Sequence, residues 1–365
     1  MDSPKALHFV LGNHDTHWRD LEGLAEAAID REPGRFVGGR NSWVAQTYLR
    51  LREALRSRGW TVSAGSGFRP GAIAVVHRDD ANEFCSTRHS SFLVVVRADR
   101  APVAACDLAV VQNRQDLASH ERFVPLWPQP GLRGRDRARG AAIRRIAYHG
   151  RTGSLPQWFG DAAFGRALEA RGIEFAVART GWEDYRDVDI SLSARDESEA
   201  LSVLATKPAT KIYNAWLAGV PVLAAPEPAY REIRRSAIDF IEIAGPGDVL
   251  RSLDLLRANP RLFQAMVDNG LRRGSEFSVE ATRTRWMRFL EEDVARAFAA
   301  KRERLGSRGF WHWRVMAAQK ALSRAHRVRT AYERWTGAAW PLPRARRRAA
   351  ASGQRAPDHL ADVSG

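Results

Sequence analysis

The sequence predicts an α/β protein: two Rossmann-like domains with parallel sheets facing across a cleft, followed by a basic helical tail. Three observations predict it. Short apolar, β-branched runs alternate with amphipathic helical stretches, the pattern of a parallel sheet covered on both faces. The alternation breaks at a stretch rich in Pro, Gly and Arg (Pro125, Pro128, Pro130, Gly131, Gly134, then the run RDRARG) and afterwards restarts. The length, 365 residues at 44% hydrophobic, suits two domains of about 100–200 residues each. The expected organisation is a first domain over 1–125, a linker over 126–144, a second domain with closing helices over 145–304, and a tail over 305–365.

In the first domain, residues 7–11 (LHFVL) read as a buried strand ending at Gly12-Asn13. Residues 43–58 place Val44, Tyr48, Leu51 and Leu55 at helical spacing, with Asn41 or Ser42 as the expected cap and Gly59 as the stop. TVSAG (61–65), AIAVV (72–76), FLVVV (92–96) and LAVV (108–111) are the following strands. In the second domain, IAYHG (146–150), IEFAVA (173–178), VDISLSA (188–194), VPVLAA (220–225) and IDFIEIA (238–244) read as strands. Helices are expected over 161–171, 207–219, 247–257, 260–273 and 278–303.

Charge is unevenly distributed. The chain has 57 basic and 42 acidic residues, and residues 301–365 contain 15 of the former and 4 of the latter. The tail therefore has a net charge of +11 and the first 300 residues only +4. An argument for nucleic-acid binding from net charge would concern the tail alone, and nucleic acid is not the expected partner. Two cysteines, Cys85 and Cys106, make no disulfide framework and no zinc-ligand spacing. No stretch approaches the roughly 20 apolar residues of a membrane span, and the N-terminus lacks the form of a signal peptide. A cytoplasmic protein is expected, or one peripheral on the inner face of a membrane. No G-x-G-x-x-G or Walker A sequence is present, which argues against dinucleotide oxidoreductases and P-loop NTPases.

Parallel sheets bind ligands at the C-terminal ends of their strands. Tyr148-His149-Gly150-Arg151 ends one strand, where Gly150 admits a ligand to the backbone and Arg151 can fork onto a diphosphate. In Lys207–Leu223 (KPATKIYNAWLAGVPVL), Pro208 suits a first helical turn, whose free N–H groups attract phosphate. Lys207 and Lys211 lie four apart, Asn214 follows on the same side, and Gly219 and Pro221 end the helix sharply. A surface helix with two solvated lysines would not require that combination. In the first domain, Gly12 and Asn13 end the first strand, Gly39 and Asn41 open the long helix, and these four are expected to line the cleft. His77 and Asp79 follow the strand AIAVV, and either is a candidate base toward an acceptor hydroxyl.

The segment K-x-x-N-A-x-x-A-G-V-P-V-L (Lys211–Leu223) resembles the donor-binding helix of GT-B-type glycosyltransferases of the glycosyl transferases group 1 kind. Tyr148–Arg151 matches that family's first donor-domain strand, whose Gly-Arg pair faces the diphosphate. The resemblance covers about 145–300. It implies that the second domain binds a nucleotide-sugar through Gly150, Arg151, Lys207, Lys211 and Asn214, with Arg179 or Trp182 near the base. The family usually has Glu where this chain has Asn214. Its final helices often cross back to the first domain, for which 278–303 is the candidate here. The implied activity is transfer of a hexose-type sugar from a nucleotide-sugar, used as co-substrate, to a glycan, lipid-linked or other hydroxyl acceptor, as in polysaccharide biosynthesis. No further cofactor is implied. No metal is expected, since no DxD-like pair lies in a suitable loop, Asp79-Asp80 apart. The alternatives are a nucleotide-sugar epimerase or hydrolase of the same fold, and an inactive sugar-nucleotide-binding module whose tail binds anionic lipid or nucleic acid.

In the tail, Trp311, Val315, Ala318, Leu322, Ala325, Val328, Tyr332 and Trp335 recur every three or four residues. Arg308, Lys320, Arg324, Arg327 and Arg334 fall mostly on the other side, and Arg314 and Arg329 interrupt the stripe. Residues 308–336 are expected to form a basic amphipathic helix lying on an anionic membrane, helped by Trp311, Trp313 and Trp335, or else packing its stripe on the body. The run after Pro341, with Arg344–Arg348, reads as a solvated tail.

Overall fold

A computed structural model of the protein describes residues 5–81, 90–115, 117–195, 199–301 and 312–341. Cys85, Trp311 and the arginines 344–348 fall outside these residues. The first domain comprises β1 (Ala6–Val10), α1 (His14–His17), α2 (Ala28–Arg31), α3 (Gln46–Arg56), β2 (Thr61–Gly65), β3 (Ile73–His77), β4 (Phe92–Val96), β5 (Leu108–Val111) and β6 (Glu121–Phe123). Its six strands are all parallel and are ordered β2-β1-β3-β4-β5-β6. The unbroken apolar runs follow from burial of both faces. Ile73, Val75, Phe92 and Val94 point into the core under α3, while Ala74, Val76, Leu93 and Val95 join a second cluster behind the sheet.

The long helix begins earlier than its periodicity suggests. Gly39 and Arg40 are already helical, and Asn41–Ala45 runs as a π turn into α3. Neither proposed cap acts as one: Ser42 Oγ donates to Phe36 O at 2.7 Å, and the Asn41 side chain turns back to Val37 O at 3.2 Å. Strand β6 has no apolar signature, because Glu121 is occupied with Arg97 at 3.0 Å and only one of its three residues is buried.

The second domain comprises β7 (Arg145–His149), α4 (Ala162–Glu169), β8 (Glu174–Ala178), β9 (Ile190–Ser193), α5 (Leu201–Leu204), α6 (Thr210–Leu217), β10 (Val222–Ala224), α7 (Pro228–Ile233), β11 (Ile241–Glu242), α8 (Pro246–Ala258) and α9 (Pro260–Gly274). Its five strands are parallel in the order β11-β10-β9-β7-β8. Helix α6 crosses α9 so closely that a Cβ on Gly274 would lie 3.0 Å from Leu217 N. The expected strand 238–244 shrinks to two residues, since Asp239 is taken up by the turn at Arg235 and Ser236.

Two connections tie the domains. The segment rich in Pro, Gly and Arg adheres to the second domain: Arg133 bridges Asp184 in parallel fashion, Arg135 N donates to Ala218 O, and the Asp189 carboxylate holds both Arg135 and Arg139 at 2.7 Å. The chain then returns through α10 (Val279–Arg288), a π turn at Phe289–Val294, and α11 (Ala295–Lys301). Trp286, Leu290, Val294 and Phe298 are buried in the first domain's core, so these helices belong to it by packing although they follow the second in sequence.

Helix α12 (His312–Thr336) spans both domains; it buries Met316 and is held to the body by polar contacts on the same side. Gln319, 1% exposed, accepts from Ala104 N at 2.8 Å and Ala105 N at 3.3 Å, and donates to Pro102 O at 3.2 Å. Glu333, 3% exposed, accepts from Ser202 N at 2.7 Å. The expectation that an apolar stripe docks on the body is corrected: Val315, Val328 and Trp335 are exposed, and Leu322 and Tyr332 are half-buried. Backbone N–H groups at 104, 105 and 202 select the polar side of the helix instead. No helix among the described residues is long and apolar enough to cross a membrane.

Candidate functional site

A cavity of about 290 Å³ lies between the two domains at the C-terminal ends of both sheets. Gly38, Gly39, Trp43 and Gln46 form part of its first-domain wall, Trp127, Gln129 and Pro130 its floor, and His149, Gly150, Trp182, Lys211 and Asn214 part of its second-domain wall.

Strand β7 ends at His149, and Gly150 follows where the wall is narrowest. A Cβ there would sit 2.9 Å from the Tyr148 ring and 3.0 Å from Lys211 Nζ, so no larger residue fits. Lys211 stands one residue into α6 with its Nζ 3.5 Å from the Tyr148 ring centroid. Its Nζ is buried and has no hydrogen-bond partner among the described residues. Burial, with Arg195 adding repulsion, holds this amine well below the ordinary lysine value. A cation–π contact compensates a buried ammonium only partly, and without a counter-ion its burial is costly. Ala209 makes no side-chain cap, and Pro208 and Thr210 line the cavity, so the positive end of α6 opens on the same space. The chemistry of this arrangement suits an anion.

His149 stacks on Tyr185 with ring centroids 4.1 Å apart, and its Nε2 lies 3.2 Å from Asp184 O. Burial lowers its pKa, so the ring is neutral; with the proton assigned to Nε2 by that contact, the unpartnered Nδ1 is an acceptor. On the opposite wall Gln46 Nε2 faces Phe36 O at 3.4 Å and its buried Oε1 is unpartnered among the described residues. Trp182 lines the cavity, steered by its Nε1 donating to Ala178 O at 3.0 Å.

Several sequence-predicted residues stand elsewhere. Helix α6 begins at Thr210, so Lys207 and Pro208 precede it, and Lys207 does not share a face with Lys211. Its Nζ pairs instead with Asp99 of the first domain at 2.8 Å. Asn214 lines the cavity, but its Oδ1 accepts from Gln129 N at 3.1 Å, so the amide NH₂ rather than the oxygen remains for a ligand. Arg151 and Arg179 are exposed and outside the cavity wall.

In the first domain, His77 is 1% exposed and held below its ordinary pKa by burial. It stands behind Gly39, where a Cβ would fall 2.7 Å from His77 Nε2, and so does not line the cavity. Asp79 donates its N–H to His77 Nδ1 at 3.2 Å, and its carboxylate is bound at 2.8 Å through both oxygens by Arg100, which lowers its pKa. The expectation of a free base at His77 or Asp79 is corrected by this burial and pairing. Gly12, Asn13 and Asn41 also miss the cavity wall. Gly12 N donates to Asp80 at 3.0 Å, and Asn41 Oδ1 accepts from Trp18 Nε1 at 3.0 Å and from Asn13 at 3.4 Å. They brace the loop that carries Gly38 and Gly39.

No family model and no curated protein matches the sequence. Among solved structures, the chain is similar to HepE of Anabaena in complex with UDP and glucose, at 11% identity over 79% of this chain and 100% of that one, with a TM-score of 0.45. It is similar to sucrose-phosphate synthase of Thermosynechococcus elongatus at 12% identity, over 80% and 99% of the two chains, with a TM-score of 0.48. For AviGT4, a glycosyltransferase involved in avilamycin A biosynthesis, the values are 13%, 75%, 98% and 0.41. These likenesses concern the course of the chain. The architecture is that of a GT-B protein by its own two parallel sheets of six and five strands.

Proposed function

We propose that this protein is a GT-B glycosyltransferase that takes its sugar from a nucleotide-sugar held between Gly150 and the start of α6. One observation carries the reading: Lys211 presents a buried, unpartnered amine beside an uncapped helix N-terminus on an interdomain cavity. A diphosphate supplies the missing negative charge. As the glycosidic bond to it breaks, negative charge grows on the leaving oxygen, and the Lys211 ammonium with the α6 N–H groups stabilises it. Binding raises the Lys211 pKa and keeps it charged. The acceptor belongs on the first-domain side, where Gln46 Oε1 accepts a hydrogen bond from a hydroxyl that does not react; as the reacting hydroxyl oxygen bonds to the sugar's anomeric carbon, its proton passes to His149 Nδ1 on the facing wall. Enclosure by both domains keeps water from the donor.

The test is a thermal-shift screen of nucleoside diphosphates and their sugar conjugates, followed by product analysis with and without hydroxyl acceptors. Stabilisation by at least one nucleoside diphosphate and acceptor-dependent transfer is expected. Stabilisation by none would overturn the reading. A catalytically inactive sugar-nucleotide-binding module is the second reading, favoured by Asn214, whose acceptor oxygen is committed to Gln129. Binding without turnover would select it, and turnover without any acceptor would select an epimerase or hydrolase.

A further inference from the structure

We propose that the outward face of α12 docks the protein on an anionic membrane surface. The helix is held to the body by its polar side, through Gln319 and Glu333. That inverts the usual orientation, in which an amphipathic helix turns its apolar residues to the core. What faces outward is Val328 at 50% exposed and Trp335 at 86%, with the exposed Ala331 between them. At 100° per residue, Lys320, Arg324 and Arg327 share this exposed side, which corrects the expectation that they fall opposite the apolar residues. These three cations have no acidic partner among the described residues, in contrast to Arg329 and Arg334, which pair with Glu333 and Glu199. The only acidic residue of the helix, Glu333, points inward.

Charge complementarity selects the occupant. Residues 301–365 have a net charge of +11, whereas the first 300 have +4, so the excess is concentrated on this helix and the segments that flank it. A second copy of the chain would bring the same cations against themselves. A nucleic acid would satisfy the arginines but not Val328, nor a tryptophan standing alone on a helix rather than on a stacking platform. A lipid headgroup layer satisfies both: phosphates for the cations, and the interfacial zone for the Trp ring and the aliphatic side chains. The inference stands apart from the donor-site reading and survives its failure.

The full chain is co-sedimented with vesicles of phosphatidylcholine alone and of phosphatidylcholine mixed with phosphatidylglycerol, at low and high salt. Binding to the anionic vesicles only, weakened by salt, is expected, with a blue shift of Trp fluorescence that Trp335→Ser removes. Arg324→Glu with Arg327→Glu should weaken binding by roughly fivefold or more per position. All three substituted residues are exposed, so the fold is retained, and circular dichroism and unchanged melting verify it. Equal binding by the charge-reversed variant, no binding to anionic vesicles, or competition of the vesicles by equimolar RNA with no fluorescence shift would each overturn the proposal. Concentration-dependent dimers abolished by Val328→Glu, without vesicle binding, would do the same.

Discussion

At the scale of single residues, Lys211 sets stability and binding against each other. A buried ammonium with no partner among the described residues destabilises the protein without ligand, while in the proposed function the same group holds the diphosphate. Lys211→Met keeps the length and apolar stem and removes the charge. The expected outcome is an empty protein as stable as wild type or more so, by up to about 1–3 kcal/mol, that no longer gains stability from the nucleoside diphosphate that stabilises wild type. Parallel melting curves measure both. The pH dependence follows from the lowered pKa. Folded Lys211 binds fewer protons than the unfolded chain does below its ordinary value of 10.5, so folding stability should rise as pH increases toward that value. Wild type should gain on Lys211→Met as pH is raised, in melts without ligand, and saturating nucleotide should reduce the difference. Parallel curves at every pH would remove Lys211 from the account.

At the scale of elements, the buried carboxylates and amides specify which segment docks where. Asp189 is fully buried, takes Arg135 and Arg139, and also accepts from Arg144 N and Arg145 N at 2.8 and 2.9 Å. It fixes the linker to the start of β7. Asp189→Ala strands two guanidinium groups and two N–H groups, and a loss of about 3–5 kcal/mol is expected in denaturant unfolding. Gln319→Ala has a different signature. It leaves Ala104 N and Ala105 N unpaired, at a cost of about 1–3 kcal/mol to the docking of α12 alone. Hydrogen exchange should show loss of protection over 316–336 while the two sheets remain protected.

These elements also show what could be read beforehand. Strands β3 and β4 were legible because burial on both faces leaves an unbroken apolar run, and α6 was legible from Gly219 and Pro221. Strand β6 was not, because Arg97, the residue after β4, neutralises Glu121. The side on which α12 docks was not, because its partners are backbone N–H groups of distant loops, which no residue type announces. Gly150, Lys211 and Asn214 were recognisable from their local pattern. The Lys207–Asp99 pair, the place of His77 behind Gly39, and the roles of His149 and Gln46 depend on the second domain's position against the first.

At the scale of the whole molecule, the two domains are tied by α12, which binds Ala104 and Ala105 in one and Ser202 in the other, and by contacts across the cleft, several of which meet at one place. Besides the Lys207–Asp99 pair, Gln112 Nε2 donates to Thr206 O at 2.6 Å, Asn113 donates to Ala205 O, and Arg114 N donates to Glu232 at 2.8 Å. Three of these four contacts fall on residues 205–207, immediately before α6. The segment whose helix end is proposed to receive the diphosphate is therefore also one by which the second domain grips the first. Moving the domains apart would widen the cavity of about 290 Å³ between them, and that movement requires release of this cluster. The Asp99–Lys207 pair is partly exposed, so its strength depends on salt and it is the contact most readily broken. Asp99→Ala should shift the free protein toward an open form, seen in small-angle scattering as a larger radius of gyration than wild type. High salt should move wild type in the same direction and the variant little. A saturating nucleoside diphosphate, bridging Lys211 and the start of α6, should bring the two curves together. Identical scattering of variant and wild type without ligand, at low and high salt, would show that closure is set by other contacts, those of α12 among them, rather than by residues 205–207.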